Sequence, residues 1–353
     1  MKNDIKYSFV VCSRNDDHGG DMLKRMRIFT RGLLHQCKKY KLTAECVFVE
    51  WNPISGKELL KDILPLPDSD DYLTIRFIQV PLSLHQQLRH SDKLPLFQMI
   101  AKNVGIRRSL GEMIVCTNVD LLFSDYLFTE LHALSSTSGT FYRCNRCDIP
   151  KNIQEEITVE EQLNFSRKNI IQRLGKNKRY NEIADTRGVF YKIPLVLEFV
   201  GILVRMKRKL IGNTVDDELT SLDTDACGDF TMMHREDWLK IQGYYELEAY
   251  SIHIDSLAIY VAYASGLKQR ILNWKSCTYH ISHDNGWELM DPVKKIYFDI
   301  EKPMLDWSTV YQLAKKMIKE QKPILINKPN WGLNNENLKE YIFEPGKEMR
   351  EIN

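Results

Sequence analysis

The chain has 353 residues, of which 43% are hydrophobic and 27% charged, and a net charge of +2. It is long enough to bury a sizeable core in one large or two modest domains. The near-neutral balance excludes a dedicated nucleic-acid binder, which carries a strongly basic face, and no apolar run approaches the ~18 residues that argue a membrane span.

The opening segment MKNDIKYSFVVCSRND lacks a charged-then-apolar secretory pattern. The 8 cysteines are scattered, so reduced thiols in a cytoplasmic protein are expected. Cys144 and Cys147 form a CxxC without a second pair or an HxxxH. Zinc needs four ligands, so they read as loop or core thiols.

In chain order, Lys6 to Cys12 is a short apolar strand ending in the polar loop SRNDDHGG. Met22, Met26, Phe29, Leu33 and Cys37 recur at helical spacing, with Lys38, Lys39 and Lys41 near the end, where cations suit the helix dipole. Ala44 to Val49 and Leu73 to Val80 read as strands, the first closed by Glu50-Trp51-Asn52-Pro53. Leu96, Met99, Ile100 and Val104 trace a second helix stopped by Gly111. Glu112 to Thr117 is a fourth strand, ending in Asn118-Val119-Asp120.

Strands alternating with helices predict an α/β domain with a mostly parallel central sheet and helices on both faces. Ligands bind such sheets at the carboxyl ends of the strands. That edge gathers Ser13, Arg14, Asn15, Glu50, Asn118 and Asp120.

Residues 1–149 thus read as a nucleotide-binding half. Residues 150–222 are charged and helix-prone and read as a helical insertion. Residues 223–300 resume the core pattern at Ala226-Cys227-Gly228-Asp229-Phe230, with a helix over Ser256–Ser265 and a strand over Lys268–Leu272. Residues 301–353 read as a C-terminal helix, Trp307–Lys319, and a tail. Within the insertion, an apolar run precedes Arg205, Lys207, Arg208 and Lys209. It reads as a buried helix with a solvated basic end, the alternative being peripheral contact with an anionic membrane face.

Several of these residues suit metal and proton chemistry. Asn118 and Asp120, two apart on extended chain, project together; Asp120 could hold a hard cation and Asn118 could bond ribose or a metal-bound water. His280 and His283 lie close together in YHISHDNGW, and neutral imidazoles ligate manganese-class ions. Asp255 precedes an apolar helix and could serve as a base, with His253 to tune or replace it. Asp229 follows Gly228, which permits close backbone approach to a ligand.

Taken in order, these segments resemble the GT-A glycosyltransferases across roughly Lys6 to Trp287, outside the insertion. QMIAKNVGIRRSLGEMIVCTNVDLLF is similar to the helix leading into the family's metal-binding triplet, and ACGDFTMMHREDWLKIQGY to its acceptor-side loop. His253-Ile254-Asp255 is similar to the x-E-D position of inverting members, and His283-Asp284-Asn285-Gly286 to the H-x-x-G that completes the metal site. The triplet opens with Asn118 rather than aspartate, and only Asp255 survives of the paired carboxylates.

The resemblance implies a Rossmann-like GT-A fold and transfer of sugar from a nucleotide diphosphate donor, UDP-linked in most members, with Mn2+ or Mg2+. It implies metal contacts on Asp120 and His283, and base and ribose contacts on Ser13, Arg14 and Glu50. Lys102, Asn103 and Arg107 are implied near the donor, and Asp255 as base for inversion. The acceptor is a glycan, lipid-linked or other hydroxyl, as in glycan biosynthesis. Two alternatives stay open: a sugar-1-phosphate nucleotidyltransferase, and a non-catalytic binding module on the same sheet.

Overall fold

A computed structural model describes residues 5–175, 215–283 and 303–352, together with positions 180, 181, 199, 202, 203 and 206. Its first half alternates as the sequence predicts: β1 (Tyr7–Ser13), α1 (Met22–Lys39), β2 (Ala44–Trp51), the short helices α2 (Leu60–Ile63) and α3 (Leu82–His85) around β3 (Leu73–Val80), then α4 (Gln98–Arg108) and β4 (Met113–Thr117). β5 (Leu121–Phe123), α5 (Asp125–Ala133), β6 (Thr140–Arg143), β7 (Asn145–Ile149), α6 (Val159–Lys168), β8 (Gln172–Leu174) and β9 (Tyr180–Asn181) follow. The second half contains α7 (Val215–Ser221), β10 (Phe230–His234), α8 (Arg235–Lys240), α9 (Ile254–Ala264), β11 (Lys268–Ile271), β12 (Cys277–Ile281), α10 (Trp307–Glu320), β13 (Lys339–Phe343) and β14 (Arg350–Ile352).

Among the described residues the strands form two sheets. The larger has the order β11-β6-β10-β4-β1-β2-β3-β13-β14. Its heart, β4-β1-β2-β3, is parallel, and antiparallel β10 and β13 flank it. Both faces of this heart are covered, which is why the middles of β1 (FVVC) and β2 (CVFV) read as apolar runs. Phe9, Val11 and Phe48 meet α1 and α5 on one face. Val10, Val47 and Val49 meet α4, α9 and α10 on the other.

Helix α4 lies very close to the sheet. A β-carbon on Gly105 would fall 2.4 Å from Val10 Cγ1, so only glycine allows this approach. That contact sets the position of Gln98 and Lys102 beside the strand ends.

The smaller sheet has the order β5-β12-β7-β8-β9. The register of β12 on β5 sets His280 opposite Leu121, and the Ile281 N–H donates to the Asp120 carbonyl at 2.9 Å. The start of the expected helical insertion holds the helix α6 and, beyond it, two short strands, β8 and β9, that extend this sheet from β7. Strands of two or three residues are too short to show alternation in sequence.

The tail departs from the prediction, since β13 returns to pair with β3. Most of the apolar run at 193–204 and its basic end lie outside the described residues. Of those described, Phe199, Ile202, Leu203 and Met206 are helical and exposed. No helix among the described residues is long and apolar enough to cross a membrane.

Candidate metal centre and cleft

A cleft of about 340 Å³ opens where β1 and β4 end and the smaller sheet begins. Seven residues singled out from sequence line it: Ser13, Arg14, Asn118, Asp120, Asp229, His280 and His283. Arg25 from α1, Gln98 from α4 and Arg146 from β7 also line it, as do Tyr250 and Ser251 on the far rim.

At its base one carboxylate faces two imidazoles. Asp120 Oδ2 lies 3.0 Å from His283 Nε2 and 3.7 Å from His280 Nε2. One ligand atom from each of the three can be chosen so that all lie within 4.8 Å of one another. Burial alone would raise the Asp120 carboxyl, but hydrogen bonding and charge from His280 and His283 outweigh it and hold the group well below the usual carboxylate range. Burial and the Arg146 charge push His280 down; bonds and charge from Asp120 and Asp148 prevail and lift it to about 9.

The donor set fits a divalent cation on two grounds. Carboxylate oxygen and imidazole nitrogen suit manganese-class and magnesium-class ions. Asp120 Oδ1 and His283 Nδ1 are buried without a hydrogen-bond partner among the described residues, a state that costs free energy unless something else meets them. Ser13 Oγ at the end of β1 is in the same condition.

Arg25 is 3% exposed and sits 3.5 Å from Asp120 Oδ2, bonded also to the His18 and Gly20 carbonyls. It brings fixed positive charge to the cleft floor. Arg146 donates to Asp148 at 2.6 Å and to Asp229 at 3.0 Å, and its third nitrogen lies 2.8 Å from His280 Nδ1. Arg25, Gln98, Arg146 and Asp148 were not anticipated from sequence.

Asn118 is not free to ligate. Its amide donates to Asp229 Oδ1 at 2.7 Å, and its oxygen accepts from Gln98 at 3.0 Å and Lys102 at 2.9 Å. Lys102 is fully buried and also donates to the Gly228 carbonyl, so it ties α4 to the loop before β10. Both Asp229 oxygens are engaged, one by Asn118 and one by Arg146.

Asp255 opens α9 behind this network. A β-carbon on Gly228 would meet its Oδ2 at 3.0 Å, so the carboxylate packs directly over that glycine. Its Oδ1 accepts from the Ser256 amide. His253 adopts a left-handed backbone (φ 67°) at the head of α9 and sets its ring edge-on to Trp307, centroids 5.0 Å apart. Neither residue lines the cleft, but Tyr250 of the rim bonds to the Pro303 carbonyl just before Trp307.

Besides Lys102, which does not line the cleft, four further expected donor contacts are occupied elsewhere. Glu50 is buried and accepts from the Leu60 amide and Gln79. Asn15 donates to the Glu58 carbonyl. Asn103 binds Tyr244 and Glu246, and Arg107 stacks on Trp331. None of the four lines the cleft. His283 is the last described residue before 303, so the rest of the H-x-x-G echo lies outside the described residues. Cys144 and Cys147 are buried thiols.

No family profile matches the chain, and no curated protein sequence matches it. Among solved structures it is similar to GalNAc-T7, determined with UDP, GalNAc and Mn2+: identity is 14%, 88% of this chain and 48% of that one are covered, and the TM-score is 0.46. It is also similar to the catalytic domain of Drosophila β1,4-galactosyltransferase 7 in complex with xylobiose. There identity is 9%, coverage is 89% of this chain and 80% of that one, and the TM-score is 0.36. The chain spans about half the length of the GalNAc-T7 structure.

Proposed function

We propose that the chain is a glycosyltransferase that moves a sugar from a UDP-linked donor to an acceptor hydroxyl, with inversion. The observation that carries the reading is the convergence of Asp120, His280 and His283 on the floor of a cleft at the strand ends. These three side chains would hold Mn2+ or Mg2+, whose Lewis acidity would neutralise the departing diphosphate.

The chain's own residues account for the remaining demands. Arg25 adds a positive charge beside the carboxylate, and Ser13 and Arg14 offer polar atoms to the nucleotide at the end of β1. Lys102, Gln98 and Asp229 fix Asn118, leaving it as a rigid wall of the cleft rather than a ligand. Preorganised groups of this kind need little rearrangement as charge develops. Asp255, one layer behind the cleft over Gly228, takes the proton of the acceptor hydroxyl through one intervening water from the α9 side, in the role of general base. The acceptor enters past Tyr250 and Trp307.

The test is a screen of nucleotide sugars for metal-dependent thermal stabilisation and turnover, in the native sequence and in Asp120→Ala. Binding at a hundredfold excess over Kd stabilises by about 2.7 kcal/mol. Metal-dependent stabilisation and transfer are expected in the native protein and lost in the variant. Equal donor turnover in Asp120→Ala would overturn the reading, as would release of pyrophosphate from a nucleoside triphosphate in place of sugar transfer.

A further inference from the structure

Asp148 has no part in the reading above and does not line the cleft, yet it packs directly against His280. Parallel pairing of β7 with β12 sets Asp148 directly opposite His280, so backbone register fixes the meeting of the two side chains. Asp148 Oδ1 lies 3.1 Å from His280 Nδ1. The same oxygen accepts from Arg146 Nε at 2.6 Å, which holds the carboxylate in place.

The chemistry of an imidazole ligand gives this contact a direction. A ring that binds a cation through Nε2 must keep that nitrogen bare, and a neutral ring then carries its proton on Nδ1. A carboxylate beside Nδ1 selects that tautomer and orients the ring. Arg146 makes the opposite demand: its terminal nitrogen, 2.8 Å from Nδ1, can donate only to a bare Nδ1. Nδ1 cannot satisfy both neighbours at once.

We propose that Asp148 is the positioning residue for the cation site: by accepting the Nδ1 proton of His280 it aims the Nε2 lone pair at the ion, while Arg146 competes for that nitrogen. The inference rests on the metal reading of Asp120, His280 and His283. With a proton on His280 Nδ1, Arg146 keeps Asp148 and Asp229 as its acceptors. The cation site and the Asp229–Asn118 wall are thereby coupled through one guanidinium.

The experiment titrates the full chain with Mn2+, following free ion by electron paramagnetic resonance, for the native sequence and Asp148→Asn. Asp148→Asn is expected to weaken Mn2+ binding about 10- to 100-fold. Mn2+ affinity within twofold of native in Asp148→Asn would sink the proposal.

A second measurement needs no variant. In 15N-histidine-labelled native protein with Mg2+, His280 is expected as the Nδ1–H tautomer; an Nε2–H tautomer with Mg2+ bound overturns the assignment. Failure of the native chain to bind either ion removes the metal reading and this inference together. Native binding with an indifferent Asp148→Asn removes the inference alone.

Discussion

His283 Nε2 lies 3.0 Å from Asp120 Oδ2, although the two residues are 163 positions apart. The contact exists because β12 pairs with β5 and stops two residues short of His283, which delivers both histidines of the segment to the loop that follows β4. A carboxylate and two imidazoles that act on one ion should fail as a unit. Asp120→Ala and His283→Ala are each expected to lower kcat/KM by at least about a hundredfold. The double variant should be little worse than either, since groups acting together give strongly non-additive losses. Steady-state rates over a Mn2+ titration check this; fully additive losses would mean that the two residues serve separate purposes.

The acceptor side should respond differently. Asp255→Asn is expected to lower kcat by roughly 10²- to 10⁴-fold, the usual contribution of a general base, with Mn2+ and UDP affinity intact. Trp307 is 43% exposed beside His253 and offers an apolar face to a sugar ring. Trp307→Ala is expected to raise the acceptor KM severalfold and leave the donor KM alone. Isothermal titration with UDP and Mn2+, alongside two-substrate kinetics, separates these effects. Lost donor binding in Asp255→Asn would place that carboxylate on the wrong side of the reaction.

The parallel heart of the fold was legible because β1, β2 and β4 are buried on both faces and carry apolar stretches, with α1 of clear period between β1 and β2. Asp120 and the two histidines were legible because a carboxylate after a core strand and a close pair of histidines are uncommon chemistry in few residues. Asp148 was not, since its role depends on a register between β7 and β12 that sequence does not state. Helix α4 shows the limit from the other side. Lys102 faces the cleft loop, whereas Asn103, about 100° further round, turns to Tyr244, and Arg107 turns to the tail at Trp331. That tail covering could not be foreseen from the helix alone.

The tail itself is fastened by charge. Arg76 of β3 donates to Glu45 of β2 at 2.7 Å and to Glu340 of β13 at 2.7 Å, and all three side chains are buried. Removing one member leaves the others buried and uncompensated. Arg76→Ala is expected to cost about 3–5 kcal/mol, read from urea unfolding with the slope unchanged. A loss below about 1 kcal/mol would show that β13 is held by its backbone ladder and apolar contacts alone.

His280 gives the chain a pH dependence whose sign follows from its surroundings. Burial and Arg146 lower its affinity for protons, yet Asp120 and Asp148 carry it from the ordinary 6.5 to about 9 in the folded, metal-free chain. A folded-state value above the unfolded one contributes stability that is complete below about pH 6.5 and is lost as pH rises through about 9. Cation binding needs the same ring neutral, so a divalent ion must displace that proton. Thermal melts between pH 6 and 9.5 in chelator are therefore expected to show Tm falling across this window on account of His280, and His280→Gln should flatten that part of the slope. With Mg2+ added, the stabilisation should grow as pH rises over the same range. A Mg2+ effect that stays constant from pH 6 to 9.5 would show that no proton leaves His280 when the ion arrives.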